Sequence, residues 1–168
     1  MTATKEFQGK LLISVTDGKK LGEVKDIYLD KDATKITAVY LGKEGIINRR
    51  ALLLDINKVQ LLGVDAWLIN GSDTVQNKDD LEGSADFLLA DDLRGRDIQT
   101  DGGTKIGTVG DVIVDSSLKV IGFALSKISA EGPIAERRSI ARAAIAALGS
   151  SEHPMITVLE QAERMPVG

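Results

Sequence analysis

Side chains that commonly carry catalysis or bind metal ions are scarce in this chain of 168 residues, which has no cysteine and a single histidine, His153. Without cysteine, the chain has no disulfide, no cysteine-based zinc site, no iron-sulfur cluster and no thiol nucleophile. His153 stands beside Pro154 in a predicted loop, and no G-x-S-x-G motif supplies a nucleophile for it. We therefore expect an exposed histidine in a non-enzymatic protein, with no catalytic, cofactor-binding or metal-binding residue.

A calcium loop is the nearest approach to a metal site in the sequence. Asp30, Asp32 and Thr34 alternate as they do at the start of such a loop. Lys35 occupies the position where the loop requires glycine, and Leu41 replaces the bidentate glutamate. We therefore predict no bound metal and no cofactor.

Arginines recur in pairs at similar places in the two halves of the chain. Arg49 and Arg50 lie in GIINRRA, and Arg137 and Arg138 lie in GPIAERRS. Arg142 follows four residues after Arg138, so a helix there would place the two on one face. A guanidinium can bind a carboxylate or phosphate through two parallel hydrogen bonds. The five arginines are candidate contacts for an anion or an acidic partner, with the acids of the other half of the chain as an equally weighted alternative.

The formal net charge of -4 is concentrated in one segment. Residues 1–75 carry 11 Lys and Arg against 10 Asp and Glu, and residues 93–168 carry 9 of each. Residues 76–92 carry one Lys against six acids. Two nearly balanced segments joined by an acidic stretch with Gly, Ser and Asn predict two domains, 1–75 and 93–168, and a solvated acidic linker.

Composition also narrows the partners and the compartment. Neither half is net basic and aromatic residues make up 4% of the chain, so nucleic acid is not favoured as a partner. No apolar run approaches the ~18 residues of a transmembrane helix. Residues Met1–Gly9 lack the apolar core of a signal peptide. We therefore expect a cytoplasmic protein without a transmembrane segment.

The two halves repeat one another. The segment DGKKLGEVKDIYLDKDATKITAVYL, residues 17–41, aligns with GGTKIGTVGDVIVDSSLKVIGFAL, residues 102–125, with one gap. Gly22 then falls on Gly107 and Asp26 on Asp111, among several matches. An alignment of this length predicts a tandem duplication with halves of about 75 residues.

Each repeat is predicted to be mainly β-structure. Glycine-containing turns alternate with short β-branched runs, as in GTVGDVIV and KVIGFAL, which is typical of hairpins in a sandwich or small barrel. The segment AERRSIARAAIAALGS has Ile140, Ala144, Ile145 and Leu148 at helical spacing and Gly149 as a C-terminal cap, and predicts a short helix. Its counterpart in the first repeat, RRALLLDINKVQLLG, predicts a strand followed by a helical turn.

The repeat resembles the PRC-barrel domain family. In residues 87–127 the resemblance rests on the lead-in FLLADDLRG, a turn, and the run IGTVGDV followed by Asp115. The first repeat matches more loosely through LGEVKDIYLD. The resemblance implies two tandem small β-barrels with short helical turns, which we expect to pack side by side with approximate two-fold symmetry. It also implies that Gly22, Asp26, Gly107 and Asp111 are structural signature positions.

The family resemblance implies a docking module. Similar barrels form the cytoplasmic part of the H subunit of photosynthetic reaction centres and the C-terminal domain of a ribosome maturation factor. We therefore predict a non-enzymatic protein interaction module, an adapter that docks on a larger assembly such as a photosynthetic or other membrane complex. The alternatives are a ligand-binding or catalytic protein that uses the groove between the domains, and a ribosome-associated factor. Further homo-oligomerisation is left open.

Overall fold

The structure, a computed structural model, describes residues 1–168 and consists mainly of short strands. In chain order the strands are β1 (Thr2–Ala3), β2 (Leu11–Ser14), β3 (Lys20–Glu23), β4 (Asp26–Leu29), β5 (Ile36–Glu44), β6 (Arg50–Asp55), β7 (Val59–Leu62), β8 (Ala66–Ile69), β9 (Val75–Asn77), β10 (Leu88–Leu89), β11 (Asp97–Thr100), β12 (Lys105–Val114), β13 (Val120–Ser126), β14 (Ser139–Ala141), β15 (Ile145–Ala147) and β16 (Met155–Thr157). The helices are α1 (Ala90–Leu93), α2 (Pro133–Arg137) and α3 (Leu159–Arg164), with 3-10 turns at Thr4–Phe7, Ile56–Lys58, Lys78–Asp80, Ser84–Asp86 and Arg142–Ala144. None of the helices is long and apolar enough to span a membrane.

The chain forms two compact units that do not follow one another simply along the sequence. The N-terminal unit comprises Lys5–Lys31 and Ile36–Leu89. The C-terminal unit comprises Ala90–Gly168 together with two short segments of the first repeat, Met1–Thr4 and Asp32–Lys35. Residues 76–89, within the predicted linker, carry two 3-10 turns and strand β10 of the N-terminal unit. The division of the chain at 76–92 stays a prediction, as does the arrangement of the halves.

The C-terminal unit is built on one sheet, in the order β14-β13-β12-β11-β16-β15. Strand β12 is its longest. Most of its side chains are buried, among them the β-branched residues Ile106, Val109 and Val112. One edge of β12 pairs with β11 at its start and with β1 at its end, where Thr2 lies opposite Val114. The two-residue strand β1 thus completes an edge that β11 leaves unpaired.

The N-terminal unit has two sheets, β10-β4-β5-β6-β9 and β3-β2-β8-β7. Trp67 and Leu12 lie fully buried, and Phe7 packs edge-on against Trp67 with ring centroids 5.1 Å apart. Tyr28 and Tyr40 form a second aromatic pair, 5.7 Å apart. Each sheet therefore has its own aromatic packing.

The strand pairings confirm that the chain contains a repeat. Strand β2 pairs in parallel with β8, and β11 pairs in parallel with β16 in the same way. Strands β3 and β4 together correspond to β12, and their partners β2 and β10 correspond to β11 and β1. The prediction of two small, mainly β domains with short helical turns is confirmed, although no sheet closes into a hydrogen-bonded barrel.

The helix predicted over AERRSIARAAIAALGS is wrong. Helix α2 ends at Arg137, Arg138 takes a left-handed conformation with φ 57°, and the following residues form β14, a 3-10 turn and β15. Ile140 lies opposite Phe123, so the segment pairs with the edge of β13, whose backbone groups need partners. Tertiary pairing overrides the helix propensity of the alanines. In the first repeat, the predicted strand and helical turn are confirmed as β6 and Ile56–Lys58.

A Cβ at either signature glycine would contact other parts of the chain. Gly22 has φ 152°, and a Cβ there would lie 3.1 Å from a methyl carbon of Leu41. A Cβ on Gly107 would lie 3.4 Å from the Cα of Ile128 and from the carbonyl oxygen of Ser126. Gly22 thus has a positive φ that glycine adopts readily, and Gly107 lies against the backbone of residues 126–128.

Candidate interaction sites

The signature residue Asp111 is the centre of a buried polar network in the C-terminal unit. Its Oδ1 accepts hydrogen bonds from the Thr4 hydroxyl at 2.7 Å, from Arg94 Nε at 3.0 Å and from the Val112 amide at 2.8 Å. Arg94 Nη2 also donates to the Thr4 hydroxyl oxygen at 2.9 Å. The side chains of Asp111 and Arg94 are 9% and 7% exposed. The network therefore ties the N-terminal segment and α1 to β12, and leaves Asp111 little access to an outside ligand.

Asp26, the counterpart of Asp111, is buried at the start of β4, opposite Tyr40. Asp111 accepts a bond from the Thr4 hydroxyl. The counterpart of Thr4 is Ala90, the first residue of α1, so Asp26 has no equivalent of that bond. The two signature aspartates therefore lie at matching places on their strands and differ in this hydroxyl bond.

Arg137 holds the end of a helix. Its guanidinium donates to the carbonyl oxygens of Met165 at 3.1 Å and Ala162 at 2.5 Å. These carbonyls lie at the C-terminal end of α3, where backbone acceptors lack partners within the helix. Both terminal nitrogens of Arg137 therefore bind the backbone of the same unit, and its Nε is buried.

Arg142 fastens the segment Asp32–Lys35 to the C-terminal unit. Its guanidinium donates to the carbonyl oxygens of Asp32 at 2.6 Å, Ala33 at 3.2 Å and Ile145 at 3.2 Å. Ala33 is buried and has φ 51°, a conformation that an alanine rarely adopts unless its surroundings hold it. Arg142 therefore stabilises a turn that the backbone preference of alanine disfavours.

We expect Arg142→Met to lower the free energy of unfolding by about 2 kcal/mol, since the methionine keeps an apolar stem but leaves the three carbonyls without their charged donor. Arg138→Met is the matched control, because Arg138 is exposed, and a change within about 0.5 kcal/mol is expected. Urea unfolding of both variants measures the difference. Equal stability of the two variants would show that the turn does not depend on Arg142.

The two arginine pairs do not occupy equivalent places. Leu54 lies opposite Val39 and Ile140 lies opposite Phe123, so Leu54 and Ile140 correspond. Counting back from them places Arg137 and Arg138 level with Ala51 and Leu52, two positions beyond Arg49 and Arg50. The similarity of GIINRRA to GPIAERRS therefore does not extend to the three-dimensional positions of the arginines.

Arg49 and Arg50 lie at the exposed end of the β5–β6 hairpin. We call residues 43–50, KEGIINRR, the hairpin tip. Ile46 and Ile47 at its turn are 97% and 91% exposed. Lys43, Arg49 and Arg50 are also exposed, against the single acid Glu44. The hairpin tip therefore combines two unpartnered isoleucines with a net positive charge.

An open groove of about 470 Å³ lies on the C-terminal unit between the β11–β12 turn, residues 129–131 and α3. Its apolar lining includes Ile106, Ala130 and Leu159, and its acids are Asp101, Glu131 and Glu163. Leu159 is 42% exposed. We call it the acidic groove; Lys105 is the one basic side chain that lines it.

A second, more polar groove of about 300 Å³ contains His153 and Arg96. His153 is exposed, and its Nδ1 lies 2.9 Å from the Ser150 hydroxyl oxygen. Arg96 donates to the carbonyl oxygens of Leu148 at 2.8 Å and Asp92 at 3.1 Å, and burial lowers the pKa of its guanidinium. The arginine thus links α1, which contains Asp92, to Leu148, the residue after β15.

Sequence reasoning missed both the hairpin tip and the partners of Asp111. The sequence singled out the segment of Ile46 and Ile47 for its arginines. The isoleucines lie beyond the sheet because β5 ends at Glu44 and β6 begins at Arg50. Arg94 was part of the lead-in DDLRG, seventeen residues before Asp111. The available signal was an arginine and an aspartate of opposite charge, in DLR and GD, within one repeat.

The chain is thus a tandem protein of two small, mainly β units built from one repeat. Glycine and aspartate lie at matching strand positions in the two units. A profile of the PRC-barrel domain matches residues 3–76 and again residues 85–138. The chain belongs to the PRC-barrel domain family and carries the domain twice.

The chain is similar to a bacterial protein described as "Probable sporulation protein YlmC", from Bacillus subtilis (strain 168). The two are 31% identical over 78 residues, which is 44% of this chain and 96% of the relative. The relative is therefore about as long as one repeat of this chain.

Proposed function

We propose that the chain is a non-enzymatic adapter of the cytoplasm, which docks on a larger protein assembly through the hairpin tip. The observation that carries the proposal is the exposure of Ile46 and Ile47, 97% and 91%, at the end of a hairpin. Apolar side chains this exposed stabilise neither sheet of the N-terminal unit. Their burial by a partner would contribute about 1.5–3 kcal/mol each.

The charges at the hairpin tip indicate the chemistry of the surface it fits. Lys43, Arg49 and Arg50 flank the isoleucines along the chain, and arginine is enriched at binding hot spots. The complementary surface is an apolar pocket with carboxylates at its rim. Photosynthetic and other membrane complexes are the assemblies that the family resemblance suggests.

The proposal is tested by capture from a lysate of the source organism with the tagged full chain. We expect a partner that the wild-type chain retains and the variant Ile46→Asp/Ile47→Asp loses at least about tenfold, because two buried isoleucines would be replaced by charges. Leu61→Asp/Val64→Asp is the matched control, since Leu61 in β7 and Val64 in the turn after it are 55% and 82% exposed in the same unit. Thermal unfolding of each variant checks that the fold is intact.

Two outcomes would contradict the proposal. Equal capture by the wild-type chain and the hairpin-tip variant would show that the isoleucines do not bind the partner. Recovery of ribosomal subunits as the retained assembly would favour the ribosome-associated alternative over docking on a membrane complex.

A further inference from the structure

The acidic groove and the hairpin tip are complementary in chemistry. The acidic groove offers an apolar surface formed mainly by Leu159 and Ala130, since Ile106 is only 2% exposed, with three acids and one lysine around it. The hairpin tip offers two exposed isoleucines with three cations and one acid around them. Opposite net charges around two apolar surfaces favour association and set its orientation. Each surface is also free of any segment of its own unit.

We propose that the acidic groove binds the hairpin tip of a second copy of the chain. The inference rests on the proposed function in one respect, since it takes the hairpin tip to be a docking surface. It adds that self-association covers the hairpin tip, so that a copy docked on another copy does not dock on the larger assembly.

The number of surfaces limits the form of the assembly. Each chain carries one hairpin tip in its N-terminal unit and one acidic groove in its C-terminal unit. Two copies that exchange tips reciprocally form a closed two-fold dimer with two contacts, whereas one-way contacts form an open chain. A single contact with two isoleucines is smaller than a standard stable interface, so we expect weak association.

The test is sedimentation equilibrium of the full chain over a range of concentrations. We expect reversible self-association that weakens with added salt, because charges at the contact are screened. Ile46→Asp/Ile47→Asp and, separately, Glu131→Lys/Glu163→Lys should each weaken it at least about tenfold. Glu152→Lys/Glu160→Lys is the control for net charge, since both glutamates are exposed and neither lines the acidic groove; it should associate like the wild-type chain.

Mixing the variants provides a sharper test. The hairpin-tip variant keeps an intact groove and the groove variant keeps an intact tip, so an equimolar mixture should associate more strongly than either variant alone. A chain that stays monomeric throughout, or a groove variant that associates like the wild-type chain, would overturn the inference.

The lysate capture separates the two proposals. If both hold, the groove variant still retains the partner, and retains more of it than the wild-type chain, because its hairpin tip is no longer covered. Partner capture without any self-association would overturn the inference and leave the proposed function standing. Self-association through tip and groove without capture of a partner would overturn the proposed function and support self-association.

Discussion

Replacing Asp111 with alanine is expected to lower the free energy of unfolding by about 3–5 kcal/mol. The substitution leaves the Arg94 guanidinium, whose side chain is 7% exposed, without its buried carboxylate. It also removes the acceptor of the Thr4 hydroxyl and of the Val112 amide. Urea unfolding monitored by circular dichroism measures the loss.

Two comparisons identify the cause of this loss. Asp91→Asn is the matched control, because the Asp91 side chain is 74% exposed and lies 3.5 Å from the same arginine; a change within about 0.5 kcal/mol is expected. The double variant Asp111→Ala/Arg94→Met should be less destabilised than the sum of its single changes, since it buries no unpaired charge. A loss below about 1 kcal/mol for Asp111→Ala would show that the ion pair does not hold the C-terminal unit together.

Cutting the chain after Leu89 is expected to leave one fragment folded and the other unfolded. Residues 1–89 contain every segment of the N-terminal unit. Residues 90–168 lack Met1–Thr4 and Asp32–Lys35, and with them strand β1, the Thr4 hydroxyl and the turn that Arg142 binds. The fragment 90–168 therefore loses partners at one sheet edge, in its buried network and at Arg142.

Amide proton spectra of the separate fragments measure the outcome. We expect dispersed signals from 1–89 and collapsed signals from 90–168. Mixing the two should restore dispersion in 90–168, because 1–89 supplies both missing segments, and a tag on either fragment should then retain the other. Cooperative unfolding of 90–168 on its own would contradict the expectation.

The repeat and its strands could be predicted from sequence because the signals are local. Glycine, aspartate and β-branched residues recur at fixed spacing in GTVGDVIV, and the strand after the turn matches again once one residue is left out of the turn. The helix prediction over residues 135–150 was wrong because the spacing of Ile140, Ala144 and Ile145 fits a helix as well as it fits short strands. Pairing with β13, a contact between distant residues, decides between them.

The candidate sites depended more on tertiary structure. The two-residue strand β1 has no pattern that a sequence could show, and its partner is more than a hundred residues away. The charge of Arg137 and Arg142 predicts contacts with an anion or an acidic partner. Both instead donate to backbone carbonyls of their own unit. Arg49 and Arg50 remain exposed, and the isoleucines beside them became candidates only when the length of the hairpin was known.

The pairing of β1 with β12, and of β10 with β4, bears on how the duplication arose. Each lead-in strand belongs by sequence to one repeat and completes a sheet made by the other. In a chain with one such repeat, the same pairing would join this strand to the sheet of a second molecule, as in a domain-swapped dimer. Joining two copies in one gene would then have held the two strands near their sheets at high effective concentration, so that folding no longer depended on two molecules meeting.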